Sequence, residues 1–412
     1  MYDWAVLEAW IEFAVRWTHV ITAVAWIGSS FYFIALDLGL RKSPDLPPGA
    51  YGEEWQVHGG GFYHVQKYLV APDRLPDHLI WFKWESYATW LSGFALLVLV
   101  YYLGAELYLV DPAVADLAVW QAVLVSLASL GFGWLAYDTI CKSRFGDDNT
   151  RLMLLLYVLL VAMAWGYTQV FSGRAALLHL GAFTATIMSA NVFMVIMPNQ
   201  RIVVADLKAG RVPDPKYGRI AKQRSTHNNY LTLPVLFLML SNHYPLAFAT
   251  QYNWIIASLV FLMGVTIRHY FNTRHAGKGN PTWTWAVTAV LFLIIAWLST
   301  APMRVQQPEA RLQGVALVYA TAPGFDEVTG IVQGRCAMCH AAEPGWPGML
   351  WPPKGVVLET PAQIAHEARR IYLQAGVSHA MPPANLSYME PQEREAIVRW
   401  FQGAGTGAGV EG

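Results

Sequence analysis

An all-α fold, a bundle of about eight membrane-crossing helices followed by a small helical unit, is predicted from three features of this 412-residue chain. Hydrophobic residues make up 55% of it and charged residues only 14%, against about a quarter charged in average soluble domains. Apolar runs recur that are long enough to cross a ~30 Å hydrocarbon core. Past Pro302 the texture changes, and residues 323–403 read as a compact unit with its own charges. Formal net charge is zero, so no global basic field points to nucleic acid as a partner.

The runs lie at about 10–38, 84–110, 117–141, 152–171, 175–197, 229–242, 246–271 and 283–301. The sixth is short, and the break from Asn242 to Pro245 lets it pair with the seventh as one hairpin. No internal repeat is evident. The opening residues carry Asp3 and Glu8 rather than a basic stretch, so the first run is expected to remain as a span rather than act as a cleaved signal. Lys and Arg in the loops set orientation. Seventeen of them fall in the odd loops, whereas the even loops hold only Arg174. The odd loops are therefore expected on the cytoplasmic side and both termini on the other. Residues 1–302 then form the membrane domain, 303–322 a linker, 323–403 an exported unit and 404–412 a disordered tail.

Within the exported unit stands RCAMCH, residues 335–340. Two cysteines, two spacers and a histidine are the attachment site of a c-type haem. Cys336 and Cys339 supply the thiols, and His340 supplies one axial nitrogen to the iron. The second axial ligand is expected to be Met381, in SHAMPPANL. Pro382 and Pro383 stiffen its loop, and Met/His ligation suits a small electron carrier. His379 is the nearest rival, with Met349 and Met389 weaker ones. The order of haem site, Met-Pro loop and terminal helix resembles a class I cytochrome c domain. Haem of this type is attached outside the cytoplasm, which agrees with the loop charges. The remaining cysteine, Cys141, ends an apolar run and reads as an inert buried thiol. With both axial positions filled, such a unit moves single electrons, so substrate chemistry is expected in the membrane part.

Ionisable residues inside spans are costly and therefore functional candidates. Glu12, Arg16 and His19 are spaced by four and three, on one helical face. An internal ion pair that only fixes helix packing is the competing reading. His179 lies about one turn into the fifth span, in the same outer third as His19. Facing each other, the two would ligate a haem b, unless each is merely hydrogen-bonded to backbone. A second polar set gathers towards the cytoplasmic face: His58 and His64 around GGGFY, Glu85, Asp138, His227 with Asn228 and Asn229, and Arg268 with His269 and Asn272. Singly each reads as a headgroup-region residue. Together they supply the donors and acceptors a flat anionic heterocycle would need, with Trp81, Trp84 and Tyr230 available to stack on it.

The strings HVITAVAWIGSSFYF, HGGGFYHVQKYLVAP, WFKWESYATWLSGF and HNNYLTLPVLFLMLSNHYP resemble the bacterial membrane-bound urate oxidases, or urate hydroxylases, fused to a C-terminal cytochrome c. The resemblance covers nearly the whole chain. It implies oxidation of urate to 5-hydroxyisourate in purine catabolism, in the bacterial inner membrane. Electrons would leave through one covalent haem c to an acceptor such as a cytochrome c or a terminal oxidase, and water would supply the new oxygen. The family pattern transfers no catalytic residues. From the residues themselves His227, Glu85 and Arg268 are the expected catalytic set, with His227 or Glu85 as base for a cytoplasmic site and His19 for an outer one. Two other functions fit the same features: a membrane-anchored electron-transfer subunit without catalysis, and a transporter carrying a fused cytochrome.

Overall fold

The computed structural model describes residues 4–69, 72, 75–300, 312–347, 349 and 351–407. It is mostly helical. α1 (Trp4–Gly39) is followed by a hairpin of β1 (Ala50–His58) and β2 (Gly61–Tyr68). α2 (Trp84–Leu96) continues through a π-helical stretch to Tyr102, and a one-turn α3 (Ala105–Tyr108) leads to α4 (Val119–Lys142) and α5 (Asn149–Thr168). α6 (Gly173–Ala190) runs through a second π-helical stretch, Asn191–Ile196, into α7 (Met197–Lys208). α8 (Pro215–Ser241), the short α9 (Pro245–Phe248), α10 (Asn253–His275) and α11 (Trp283–Ser299) complete the bundle.

A helix thus runs through each of the eight apolar stretches. Among the described residues, five helices, α1, α4, α5, the continuous α6–α7 and α10, are long and apolar enough to cross a membrane. α11 is apolar but shorter. α8 differs most from expectation. It begins well before residue 229, because Asp214 caps it by accepting from the Lys216 N–H and Pro215 occupies its first turn. The sixth and seventh stretches are therefore separate long helices joined through α9.

The mostly helical fold carries one addition that the all-α reading did not include, a two-stranded hairpin. β1 and β2 pair antiparallel with His58 opposite Gly61. The connecting Gly59 and Gly60 both have positive φ, 61° and 80°, which a tight hairpin turn of this hand requires. Alternation of apolar residues in this loop is weak, so periodicity did not reveal it.

Close helix approach in the bundle rests on small residues, as expected where lipid and core are equally apolar. A Cβ on Gly133 of α4 would lie 2.3 Å from the Phe183 ring of α6, and one on Gly264 of α10 would lie 2.5 Å from Pro234 of α8.

The C-terminal unit has its own core. α12 (Gly314–Ala320), α13 (Phe325–Arg335), α14 (Ala337–His340), α15 (Pro361–His366), α16 (Ala368–Ile371) and α17 (Pro391–Gly407) surround Val328, Val332, Ile364, Ile397 and Trp400. It starts earlier than the 323 boundary. Ala316 joins the core and the Trp400 indole donates to the Tyr319 carbonyl at 2.9 Å, so part of the expected linker is structural. Residues 303–311 of that linker lie outside the described residues, as do 408–412 of the expected tail, while α17 carries on through residues 404–407.

Gly133→Ala should destabilise the bundle by about 1–3 kcal/mol through overpacking against Phe183. A lowered thermal midpoint of the detergent-solubilised protein, followed by circular dichroism, checks this.

Candidate functional site

Consecutive residues of a helix point about 100° apart, and α8 uses this to address three neighbours. His227 turns to α4, where its Nδ1 lies 2.7 Å from the Tyr137 hydroxyl. Asn228 turns to α6, donating to the Met188 carbonyl at 2.9 Å and accepting from the Asn191 amide at 2.9 Å. Asn229 turns to α10, where its oxygen accepts from Arg268 Nε at 3.2 Å and from Asn272 at 3.0 Å.

Around the first two a buried network closes. Asn191 also donates to the Tyr137 hydroxyl at 3.1 Å. Arg224, one turn before His227, donates to Asp138 at 2.8 Å and to the Asn191 oxygen at 3.4 Å, and lies over the Tyr137 ring. Asp138 also pairs with the exposed Lys142 at 2.6 Å. Asn191 sits in a π-helical stretch, an insertion common at functional sites. The extra residue per turn lets one side chain reach both α4 and α8.

A cleft of about 1430 Å³ opens between α4, α5, α8 and α10, and Arg224, His227, Tyr230, Asn199 and His269 are among its walls. This exceeds the roughly 300–1,000 Å³ of a closed small-molecule pocket, so it is an open cleft. Two features face chemistry rather than packing. His227 Nε2 has no hydrogen-bond partner among the described residues, and Arg224 Nε is buried without one. A buried donor left unpaired costs about 1–3 kcal/mol, and an anionic ligand oxygen would remove that cost.

The residues read from the sequence as one catalytic set are not brought together. His227 lines the cleft. Arg268 lies across α8, with its guanidinium over the Phe31 ring at 4.0 Å and only the amides of Asn229 and Asn272 as hydrogen-bond partners. Glu85 is half-buried on α2, and its carboxylate makes no hydrogen bond or ion pair among the described residues. His64 stacks on Trp55 at 4.1 Å and bonds Glu53 at 2.7 Å within the hairpin, and His58 is exposed at its tip. Tyr137, Asn191 and Arg224 are the participants that sequence reasoning missed. The i, i+3 spacing of Arg224 and His227 was a usable signal, but Arg224 reads as a loop cation until α8 is known to start at Pro215.

The outer histidines do not face each other. His179 is fully buried. Its Nδ1–H donates to the Ala175 carbonyl at 2.8 Å and its Nε2 accepts from Ser126 at 2.8 Å, with the Phe171 ring 4.6 Å away. His19 lies against Gly93 of α2 and bonds the Thr89 carbonyl at 3.0 Å. With both nitrogens of His179 engaged and the rings directed to different helices, this pair does not fit a haem b. Glu12 and Arg16 form an ion pair at 2.5 Å on a partly exposed face.

The C-terminal motif is arranged differently. His340 Nδ1–H donates to the Val356 carbonyl at 2.9 Å, which leaves Nε2 free for a metal and fixes the tautomer. Burial pushes the Cys336 thiol up to about 12, with Cys339 beside it adding to the shift. A zinc site would need thiolates, whereas a thioether link to haem does not. Met381 and Cys336 pack at the edge of one apolar cluster. Arg394 holds the Met381 loop, donating to the carbonyls of Ala375 at 2.6 Å and Met381 at 2.8 Å and to Asn385 at 3.2 Å. His379, Ala384, Asn385 and Tyr388 in this loop have positive φ, a strain that such fastening sustains. Of the rival ligands, His379 is exposed and Met389 is buried in the core. The residues present fit a covalently bound haem c.

A family model described as Urate oxidase N-terminal matches residues 5–299. No curated protein and no solved structure matches the chain.

Tyr137→Phe should cost about 1–3 kcal/mol, because it removes the hydroxyl that satisfies both Asn191 and His227. Thermal unfolding of the variant in detergent measures it.

Proposed function

The chain belongs to the urate oxidase N-terminal family, and on that premise we propose that it oxidises urate to 5-hydroxyisourate in purine catabolism, the electrons leaving through a haem c to the respiratory chain. The match over residues 5–299 carries the reading. The overall change balances as urate plus water giving 5-hydroxyisourate, two protons and two electrons. Haem held by Cys336, Cys339, His340 and Met381 would accept those electrons one at a time.

Urate enters the cleft beside α8. His227 takes a substrate or water proton on Nε2, with Nδ1 held by Tyr137. Arg224 offers its unpartnered Nε–H to a urate oxygen, and Asp138 and Asn191 keep the guanidinium in place. Tyr230 on the cleft wall supplies a face for the purine. Glu85 and Arg268 lie outside this set.

The eight stretches cross the bacterial inner membrane with the odd loops and the cleft on the cytoplasmic side. In support, the C-terminal unit rests on the end of the bundle that carries Ala5, Tyr108 and Arg174, the end poor in Lys and Arg. From His227 to Ser241 α8 rises about 21 Å, and electrons must cover that length. Packed rings line it: Phe183 to Tyr167 at 6.4 Å, Tyr167 to His179 and His179 to Tyr101 at 5.9 Å, and Tyr101 to Tyr108 at 6.0 Å.

Urate added anaerobically to the purified protein should reduce its haem, and ¹⁸O from labelled water should enter the product. Label arriving from oxygen gas instead would overturn the scheme. His227→Ala should lower the rate by about 10²–10⁴-fold, the range for loss of a general base, while dithionite still reduces the haem fully. Met381→Ala should lower the haem reduction potential, since thioether ligation raises it, and redox titration reads the change.

A further inference from the structure

Arg174 is the one cation of the even loops, and it stands in the first turn of α6. That is the wrong place for a positive charge, because the amino end of a helix repels cations by about 0.3–1 kcal/mol. Its backbone is nonetheless held firmly there. Ser172 caps the helix by accepting from the Ala175 N–H, and its hydroxyl donates to the Tyr108 carbonyl at 2.7 Å. A Cβ on Gly173 would lie 2.5 Å from the Phe248 carbonyl, so α6 and α9 are in close contact at this point.

The side chain leaves the bundle. Arg174 lies 5.3 Å from the centre of the Phe248 ring and 6.0 Å from that of Tyr108, and its guanidinium donates to the Lys354 carbonyl in the C-terminal unit. Lys354 and Gly355 have positive φ, 56° and 68°, a conformation that costs a non-glycine residue energy. Two residues after Lys354 comes Val356, whose carbonyl accepts the His340 Nδ1–H. The same short segment returns at Leu358, whose N–H donates to the His340 carbonyl at 2.7 Å. One turn of chain therefore backs His340 on one side and takes the bundle's arginine on the other.

We propose that Arg174 is a positioning residue for the haem unit: by holding the 353–358 segment it sets the hydrogen bond from His340 to Val356, and so ties the haem's properties to docking on the membrane bundle. The hydrogen bond to the non-ligating nitrogen governs the basicity of a metal-bound imidazole. The proposal rests on the reading of His340 as a haem ligand. It does not depend on urate as substrate. Arg370 over Tyr108 at 4.6 Å and the Arg369–Glu8 pair at 3.3 Å are part of the same interface, but neither touches this segment in the contacts above.

Arg174→Lys keeps the charge and loses the planar fork, and Glu8→Gln perturbs the interface away from the segment. In the full-length protein in detergent, Arg174→Lys should leave covalent haem content unchanged, raise the haem potential, and speed amide exchange of residues 353–358. Glu8→Gln should change none of these. An unaltered potential and exchange rate in both Arg174→Lys and Arg174→Ala overturns the proposal, as do equal shifts in Glu8→Gln. Absence of covalent haem from the unaltered protein, by pyridine haemochrome spectrum, overturns the haem reading beneath it.

Discussion

Polar side chains inside an apolar bundle must find partners within it, and the organisation of this protein depends on how α8 meets that constraint. His227, Asn228 and Asn229 are consecutive, so none can share a direction with the next. Each finds a partner on a different helix. Three neighbours are thereby fixed around one rod, and the register of α4, α6 and α10 against α8 follows. Buried polar groups that are all paired specify one arrangement, since slippage would strand several at once. Two buried nitrogens of α8 without a partner among the described residues, Arg224 Nε and the Asn229 amide nitrogen, fall on either side of that helix. The first of these residues lines the cleft.

The division between the two faces of α8 shapes the chemistry open to the protein. On the α4 side the Arg224 charge is met by Asp138, while Tyr137, itself bonded by Asn191, orients the imidazole. On the α10 side Arg268 has neutral amides and an aromatic face. A flat substrate the size of a purine can lie against one face of a helix but cannot reach around it. The polar residues gathered at one depth are therefore two sets rather than one.

The C-terminal unit is built onto the bundle rather than hung from it. Ala5, at the start of α1, belongs to the apolar core of that unit. Arg369 reaches Glu8 and Arg370 covers Tyr108. Contacts from both ends of the chain and from α3, α6 and α9 hold one orientation.

Much of the helical layout was legible in the sequence because apolar runs of membrane length have few other readings. RCAMCH can be read as a motif for a like reason, since its reactive groups are neighbours in the chain and their spacing alone motivates the proposed haem link. The hairpin was not legible, since Gly59 and Gly60 show what turn is made only once the strands pair. Nor was the start of α8: Asp214 and Pro215 are a local cap signal hidden in a basic loop. The partners of His227 and His179 lay further out of reach. Tyr137 is 90 positions from His227 and Ser126 is 53 from His179, and no local pattern encodes such pairings. Sequence by itself determined which residues are polar and where they fall along the apolar runs. Only the tertiary structure decided which of them share a space, because that depends on helix rotation, and a single step along α8 turns a side chain by about 100° towards a different neighbour.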